Sequence, residues 1–205
     1  MVGETGMEGI GMGKKKRIAW MSLVLAIALI AGLAVPGTEA NAASKAKKKK
    51  VLVVYFSATG TTKDAAGKVK KATGGKLYRI KAAKPYTDAD LDYNNENCRA
   101  NVEQKSGSVR PKVKGKVKNI RKYDIIFVGY PIWWGKEPMI IRTFLESYNL
   151  KGKTVVPFCT SGGSGISGSM KGIKAAAKGA KVVKGKDLTD LSSKSVAKWV
   201  KKKMK

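Results

Sequence analysis

Histidine is absent from this chain of 205 residues, and cysteine occurs only twice, as Cys98 and Cys159. Without histidine there is no Ser-His-Asp triad, no histidine general base and no histidine-ligated zinc. Two cysteines argue against a thiolate metal site, and the sequence does not establish a disulfide between them. We therefore expect no metal site, and we expect a bound cofactor to supply any demanding chemistry.

The first 42 residues have the pattern of a secretory signal. Basic residues at positions 14–17 precede an apolar run at residues 18–35, and an A-x-A site follows at residues 40–42. Because the run is short for a membrane span and a cleavage site follows it, we favour a cleaved signal over an uncleaved anchor. We predict a signal peptide at residues 1–42, with Met12 as the alternative start, and an exported protein, extracellular or associated with the cell envelope.

Acidic residues are scarce as well, since 14 Asp and Glu stand against 42 Lys and Arg and the formal net charge is +28. Residues 43–50 are basic or small, which predicts a disordered basic leader. The charge could simply be a solvated surface that keeps the protein soluble. For an exported protein, the alternative is retention on an anionic cell-envelope polymer or a membrane surface. We expect no nucleic-acid partner, because the chain leaves the cytoplasm and has no recognisable nucleic-acid-binding motif.

From residue 51 onward, apolar runs typical of strands alternate with patterns typical of helices. Strands are predicted at residues 51–56, 76–81, 124–130, 154–159 and 181–183. Helices are predicted at residues 61–73, 94–103, 138–148, 169–177 and 192–203. This alternation indicates an α/β fold, a doubly wound parallel sheet of five strands between two helical layers (three layers, α/β/α). Residues 51–205 would form this single domain.

Three loops of unusual composition follow three of the predicted buried strands, at the strand ends where such sheets bind ligands. The first loop consists of Ser57, Ala58, Thr59, Gly60, Thr61 and Thr62. Hydroxyls and backbone N–H groups at a helix N-terminus suit an anion. Because the lysine of a P-loop is missing, a nucleoside triphosphate is disfavoured and an isolated phosphate group is favoured. The alternative is that these hydroxyls only cap the helix.

The second loop carries two consecutive tryptophans within the residues Pro131, Ile132, Trp133, Trp134 and Gly135. A tryptophan in a loop offers a flat surface for stacking on an aromatic ring, and filling of the core is the alternative. We expect one tryptophan in each of these two roles. Gly135 can adopt a backbone conformation that a side chain would forbid.

The third loop is rich in glycine and serine and includes Thr160, Ser161, Gly162 and Gly163. Such composition often marks a flexible linker. This loop, however, lies inside the predicted domain, between a buried strand and a helix. That position favours close approach of the backbone to a ligand.

Together, these motifs resemble those of the flavodoxins. Residues 55–62 (YFSATGTT) are similar to the flavodoxin phosphate loop, and residues 129–135 (GYPIWWG) and 158–165 (FCTSGGSG) are similar to the two isoalloxazine loops of one flavodoxin-like branch. The resemblance covers residues 51–203 and implies the strand order 2-1-3-4-5, with FMN as the cofactor. It also implies contacts of Ser57, Thr59, Gly60, Thr61 and Thr62 with the phosphate, and of residues 131–135 and 160–163 with the flavin ring.

The resemblance implies electron transfer, here at the cell envelope, with a redox partner protein or a small-molecule electron acceptor. Two alternatives stay open: an FMN-dependent NAD(P)H/quinone-type reductase, and a non-redox envelope-binding module on a flavodoxin scaffold. Whether the protein is an enzyme is not decided by the sequence. Flavodoxins are usually acidic, whereas this chain is basic. Positive charge near the flavin favours its anionic reduced form, so we expect a less reducing flavin than is usual in the family.

Overall fold

The computed structural model of the protein describes residues 48–205. The predicted signal peptide, the alternative start at Met12 and most of the basic leader lie outside these described residues. Lys50, at the end of the leader, is held at the first strand because its N–H donates to Asp124 Oδ2 at 2.7 Å. Within residues 48–205, no helix is long and apolar enough to span a membrane.

Eight strands and five α-helices make up the described chain. The strands are β1 (Val51–Tyr55), β2 (Lys76–Arg79), β3 (Lys81–Ala82), β4 (Val113–Lys114), β5 (Ile125–Pro131), β6 (Thr154–Thr160), β7 (Lys181–Val182) and β8 (Lys186–Asp187). The helices are α1 (Thr61–Thr73), α2 (Arg99–Ser106), α3 (Met139–Glu146), α4 (Met170–Ala176) and α5 (Ser193–Met204).

The predicted fold class is confirmed, because a parallel sheet runs in the order β2-β1-β5-β6 and continues into β7 and β8 beside β6. If β7 and β8 count as one fifth position, this is the order 2-1-3-4-5. Alternate residues of the central strands face opposite helical layers. On β1, Leu52 and Val54 pack in the cluster that includes α3 and α4 residues, and Val53 packs in the cluster that includes α1 and α5 residues.

The fifth strand differs from the prediction because it is broken into two short pieces. The carbonyl of Val155 accepts a hydrogen bond from Val183 N–H, so the backbone polar groups of this β6 residue point toward the fifth strand. Two residues further along, the backbone of Pro157 points toward the same neighbouring strand, and proline has no N–H to donate. Pairing resumes beyond it, where Leu188 N–H donates to the Cys159 carbonyl. The proline thus explains the interruption between β7 and β8.

Two further predicted boundaries shift. The strand predicted at residues 76–81 ends at Arg79. After Ile80, Lys81 and Ala82 form β3, which pairs antiparallel with β4 in a small separate sheet. The helix predicted at residues 94–103 begins only at Arg99. Before it, the side chains of Asp92 and Asn95 accept hydrogen bonds from the N–H groups two residues later, so these residues form turns instead of a helical ladder.

Gly129 of β5 provides a test of the sheet packing. A Cβ added there would overlap the ring of Phe158, which is fully buried on the neighbouring strand. We therefore expect Gly129→Ala to lower the free energy of unfolding by about 1–3 kcal/mol, as overpacking of a core does. Chemical denaturation would measure this loss.

The matched control is Gly67→Ala, because an added Cβ at this position within α1 meets no atom within 4 Å. Alanine has the higher helix propensity, so this variant should be more stable than the wild type by about 0.5–1 kcal/mol. A loss of stability in both variants, or in neither, would contradict the packing at Gly129.

Candidate functional site

The three candidate loops meet at the carboxyl ends of β1, β5 and β6 and surround a cavity of about 420 Å³, here called the loop cavity. Eleven of the predicted site residues line it: Ser57, Ala58, Thr59, Thr61, Thr62, Pro131, Ile132, Trp133, Thr160, Ser161 and Gly162. Gly60, Trp134, Gly135 and Gly163 belong to the same loops but do not line the cavity. Three lining residues were not predicted: Leu91, Tyr93 and Thr189.

The first loop is shaped by its own hydrogen bonds and leaves the helix start free of side-chain caps. Gly60 has a φ of 108°, and its N–H donates to Ser57 Oγ at 3.1 Å. No side chain caps the N-terminus of α1, which argues against the capping alternative. The buried hydroxyl of Thr62 lies 2.7 Å from that of Thr160, so a hydrogen bond joins the first loop to the third.

Two cations lie beside the first loop, although the sequence pattern did not indicate them. Arg79 and Lys63 line a small cleft together with residues 57–60. The Arg79 guanidinium donates a long hydrogen bond, 3.4 Å, to the Ser57 carbonyl. Because Arg79 ends β2, the rule that ligands bind at the carboxyl ends of strands would have identified it. An anion at this loop would therefore meet positive charge as well as hydroxyls.

The two tryptophans of the second loop have different environments. Trp133 is 4% exposed, and its ring packs edge-to-face against Phe56 and Tyr86 at centroid distances of 5.6 and 5.3 Å. Trp134 is 59% exposed and has a φ of 49°, and Gly135 follows with a φ of 72°. Trp133 thus fills the core while still lining the loop cavity, and Trp134 presents its ring at the surface.

Helix α2 holds this loop through two buried amides. Asn101 Oδ1 accepts a hydrogen bond from the Trp134 indole at 2.6 Å, and its Nδ2 donates to the Tyr93 and Asn95 carbonyls. Gln104 Nε2 donates to the Trp133 carbonyl at 2.8 Å. Asn101 therefore fixes Trp134 and, through the backbone, Tyr93. These two exposed aromatic rings meet edge-to-face at 5.9 Å.

A buried ion pair lies behind the second loop. Glu137 is fully buried, and its Oε1 accepts a hydrogen bond from Arg142 Nε at 2.7 Å. Burial raises the pKa of Glu137 above its usual value, although Arg142 opposes this shift. Gly172 of α4 makes room for the pair, because an added Cβ there would overlap Glu137 Oε1. Loss of this glycine would disturb the packing of α4 against the loop.

The third loop is a hydrogen-bonded turn rather than a free linker. Ser161 Oγ accepts hydrogen bonds from the N–H groups of Gly163 and Gly165, at 3.0 and 2.9 Å. The N–H of Ser161 donates to Thr189 Oγ1 at 2.8 Å, which ties the loop to the residues after β8. A Cβ at Gly162 or Gly163 would meet no protein atom within 4 Å. The loop therefore has open space beside its backbone.

The lining of the loop cavity divides into two chemical halves. The first loop supplies hydroxyls and backbone N–H groups beside the N-terminus of α1 and the nearby cations, whereas Leu91, Pro131, Ile132, Tyr93 and Trp133 supply apolar and aromatic surface. No carboxylate lines the cavity within the part of the chain that the structure describes. This donor set suits a ligand with a phosphate at one end and a flat ring at the other.

The comparisons with known proteins agree with this geometry. The family model described as Flavodoxin matches residues 50–203. The chain therefore belongs to the flavodoxin family. A comparison with curated proteins gives no match.

Three solved structures are similar to this chain. A protein from Bacteroides eggerthii DSM 20697, assigned as a flavoprotein, is 49% identical, with a TM-score of 0.72 over 75% of this chain and 96% of its own. A similarly assigned protein from Bacteroides uniformis ATCC 8492 is 44% identical, with a TM-score of 0.72 over 76% and 99%. A flavoprotein from Lactobacillus acidophilus NCFM, in complex with FMN, is 26% identical, with a TM-score of 0.59 over 74% and 98%.

Asn101 provides a test of how the aromatic residues are positioned. Asn101→Leu removes the acceptor for the Trp134 indole and the donor to two carbonyls, so we expect stability to fall by about 1–3 kcal/mol. We also expect the near-ultraviolet circular dichroism of the tryptophans to weaken, since the indole is no longer fixed. Asn101→Asp keeps the acceptor and should preserve most of this signal.

Asn94→Leu is the control, because Asn94 is exposed and the same chemical change removes no buried contact. It should alter neither stability nor the dichroism signal. An unchanged spectrum in Asn101→Leu would show that Trp134 does not depend on this hydrogen bond.

Proposed function

We propose that this chain binds FMN in the loop cavity and carries out electron transfer at the cell envelope. The observation that carries the proposal is the division of one cavity into a hydroxyl-rich, cation-flanked end and an apolar, aromatic end. The FMN complex of the Lactobacillus acidophilus relative supports it. Bound FMN would supply the ability to accept and release electrons.

The phosphate of FMN would lie at the first loop. Ser57, Thr59 and Thr61 would present hydroxyls, and the N-terminus of α1 would present backbone N–H groups. Thr62 is already bonded to Thr160 and would mainly hold the loop in place. Arg79 would add a positive charge beside the phosphate, which the neutral hydroxyls do not supply.

The flavin ring would lie between the second and third loops. Pro131, Ile132 and Trp133 line one part of the cavity, and the open side of Gly162 lines another. Trp134, held by Asn101, presents an exposed ring that packs against Tyr93, a residue lining the cavity. A site whose aromatic groups are already fixed loses less conformational entropy when it binds a flat ligand.

Binding of FMN and of riboflavin would test this assignment, because riboflavin lacks the phosphate. Thr59→Val combined with Thr61→Val removes two exposed hydroxyls near the first loop and keeps side-chain shape. We expect FMN affinity to fall roughly tenfold or more, since hydrogen bonds to a charged group are lost. Riboflavin affinity should not change. Isothermal titration of the apoprotein would measure both.

Thr73→Val, at the other end of α1, is the matched control and should bind FMN like the wild type. Failure of the wild-type apoprotein to bind FMN would refute the proposal, and equal losses for FMN and riboflavin would refute the phosphate assignment. NADH oxidation with a quinone acceptor, measured on the FMN-loaded protein, would separate a reductase from a carrier.

We also propose that the basic surface holds the exported protein on an anionic envelope polymer or membrane. Exposed lysines lie on α1 and α5, which pack side by side on one face of the sheet. On α5 these include Lys194, Lys198, Lys201 and Lys202. Each lysine near an anionic surface contributes roughly 1 kcal/mol of attraction.

Sedimentation with phosphatidylglycerol vesicles would test this surface. Changing Lys194, Lys198, Lys201 and Lys202 to Gln should weaken binding by roughly tenfold or more at low salt. The control changes the same number of exposed lysines, on the α4 side and before β5, to Gln: Lys116, Lys118, Lys171 and Lys174. Equal losses of vesicle binding in both variants would mean that binding depends on the net charge of the protein and not on the α5 face.

A further inference from the structure

We propose that the chain has a second binding site, for a small anion that carries a flat apolar ring. The site is a cleft of about 410 Å³ between the first loop and the β3–β4 sheet, here called the β3–β4 cleft. Its lining includes three cations and three apolar or aromatic residues: Arg79, Lys81, Lys114, Phe56, Ile80 and Tyr86. The inference goes beyond the proposed FMN site and does not depend on it.

The cations of the cleft are arranged unfavourably in the absence of an anion. Lys81 and Lys114 are directly paired residues of the antiparallel strands β3 and β4. Directly paired residues project from the same face of a sheet, and like charges in such a pair repel each other. Arg79 lines the same cleft as a third positive charge. A ligand anion would relieve the repulsion.

No acidic side chain of the described chain neutralises these three cations. The ion pairs within residues 48–205 join other residues: Arg99–Glu103, Lys105–Glu96, Arg110–Glu146 and Arg142–Glu137. No Asp or Glu lines the cleft in this part of the protein. Arg99, close to the cleft, shows the contrast, because Glu103 Oε1 accepts its Nε–H at 2.7 Å. An anionic ligand in the cleft would therefore meet three cations that have no acidic partner in this part of the protein.

The inner part of the cleft is apolar and held in place. Phe56 and Ile80 are 4% and 1% exposed. The Tyr86 ring packs edge-to-face against Phe56 at 5.6 Å, and its hydroxyl donates to Glu103 at 2.5 Å. The Arg99 guanidinium covers Tyr86 at 3.9 Å from the ring centroid. A fixed apolar wall beneath a cationic rim fits an aromatic carboxylate, sulfonate or phosphate.

The cleft and the loop cavity differ in most of their lining residues. They share Ser57 and Ala58, and Arg79, which lines the cleft, also lies beside the proposed phosphate position at the first loop. Lys81 and Lys114 line only the cleft, and the proposed FMN contacts do not include them. Variants of these two lysines can therefore test the cleft without altering the FMN site.

The test is calorimetric titration of the full chain, with and without saturating FMN, using 8-anilinonaphthalene-1-sulfonate as the probe. We expect one probe molecule per chain in both states. Lys81→Gln combined with Lys114→Gln should lower probe affinity roughly tenfold or more, because two charge-assisted contacts are lost. N-phenyl-1-naphthylamine, the uncharged analogue, should bind weakly and equally to both proteins.

The control is Lys112→Gln combined with Lys116→Gln, since these exposed lysines flank the β4 segment and do not line the cleft. It should bind the probe like the wild type. Displacement of the probe by FMN, equal losses of probe affinity in both double variants, or equal binding of the uncharged analogue would each overturn the proposal.

The Lys114→Gln variant should also unfold at the same or a higher temperature than the wild type, because it removes the repulsion between Lys81 and Lys114. A clearly lower unfolding temperature would count against the paired-lysine argument.

Discussion

The parallel register of β1, β5 and β6 is the constraint on which the candidate site depends. Tyr55 lies beside Gly129, and Gly129 lies beside Phe158, so the three strands end within two residues of one another and their loops emerge at one edge. Gly129 allows this register because the Phe158 ring occupies the place of its missing side chain. Beneath the loops, the Thr62–Thr160 hydrogen bond then joins the first and third loops across the sheet. This backbone arrangement thereby brings the three loops together around the cavity.

Polar groups outside the loops decide how the aromatic residues are presented. Asn101 and Gln104, both on α2, hold the Trp134 indole and the Trp133 carbonyl. Buried amides of this kind are costly unless they are paired, so they fix one geometry of the loop rather than merely filling space. Helix α2 is short and starts after a run of turns, and its two amide side chains support the second loop.

Positive charge is distributed unevenly around the sheet edge. The loop cavity is lined by neutral groups, Arg79 and Lys63 lie beside the first loop, and Lys81 and Lys114 line the neighbouring cleft. The influence of these charges on a flavin ring falls with distance and salt. The expected shift in the potential of a bound flavin therefore depends on how close individual cations lie to the ring, not on the net charge of the whole chain.

The sequence by itself determined the fold class, the order of the main strands and helices and the three loops, because buried strands have continuous apolar runs and the loops directly follow them. It could also have indicated Arg79 and Thr189, which follow or end strands at the same edge. Tertiary structure decided the rest. Pro157 interrupts the fifth strand only because its backbone points toward that strand. Trp133 is buried because its ring packs against Tyr86, whereas Trp134 is exposed and bonded to Asn101 of α2. The pairing of Lys81 with Lys114 joins residues far apart in the chain. Local sequence patterns report the periodicity of an element, whereas contacts between distant segments arise only when the elements pack.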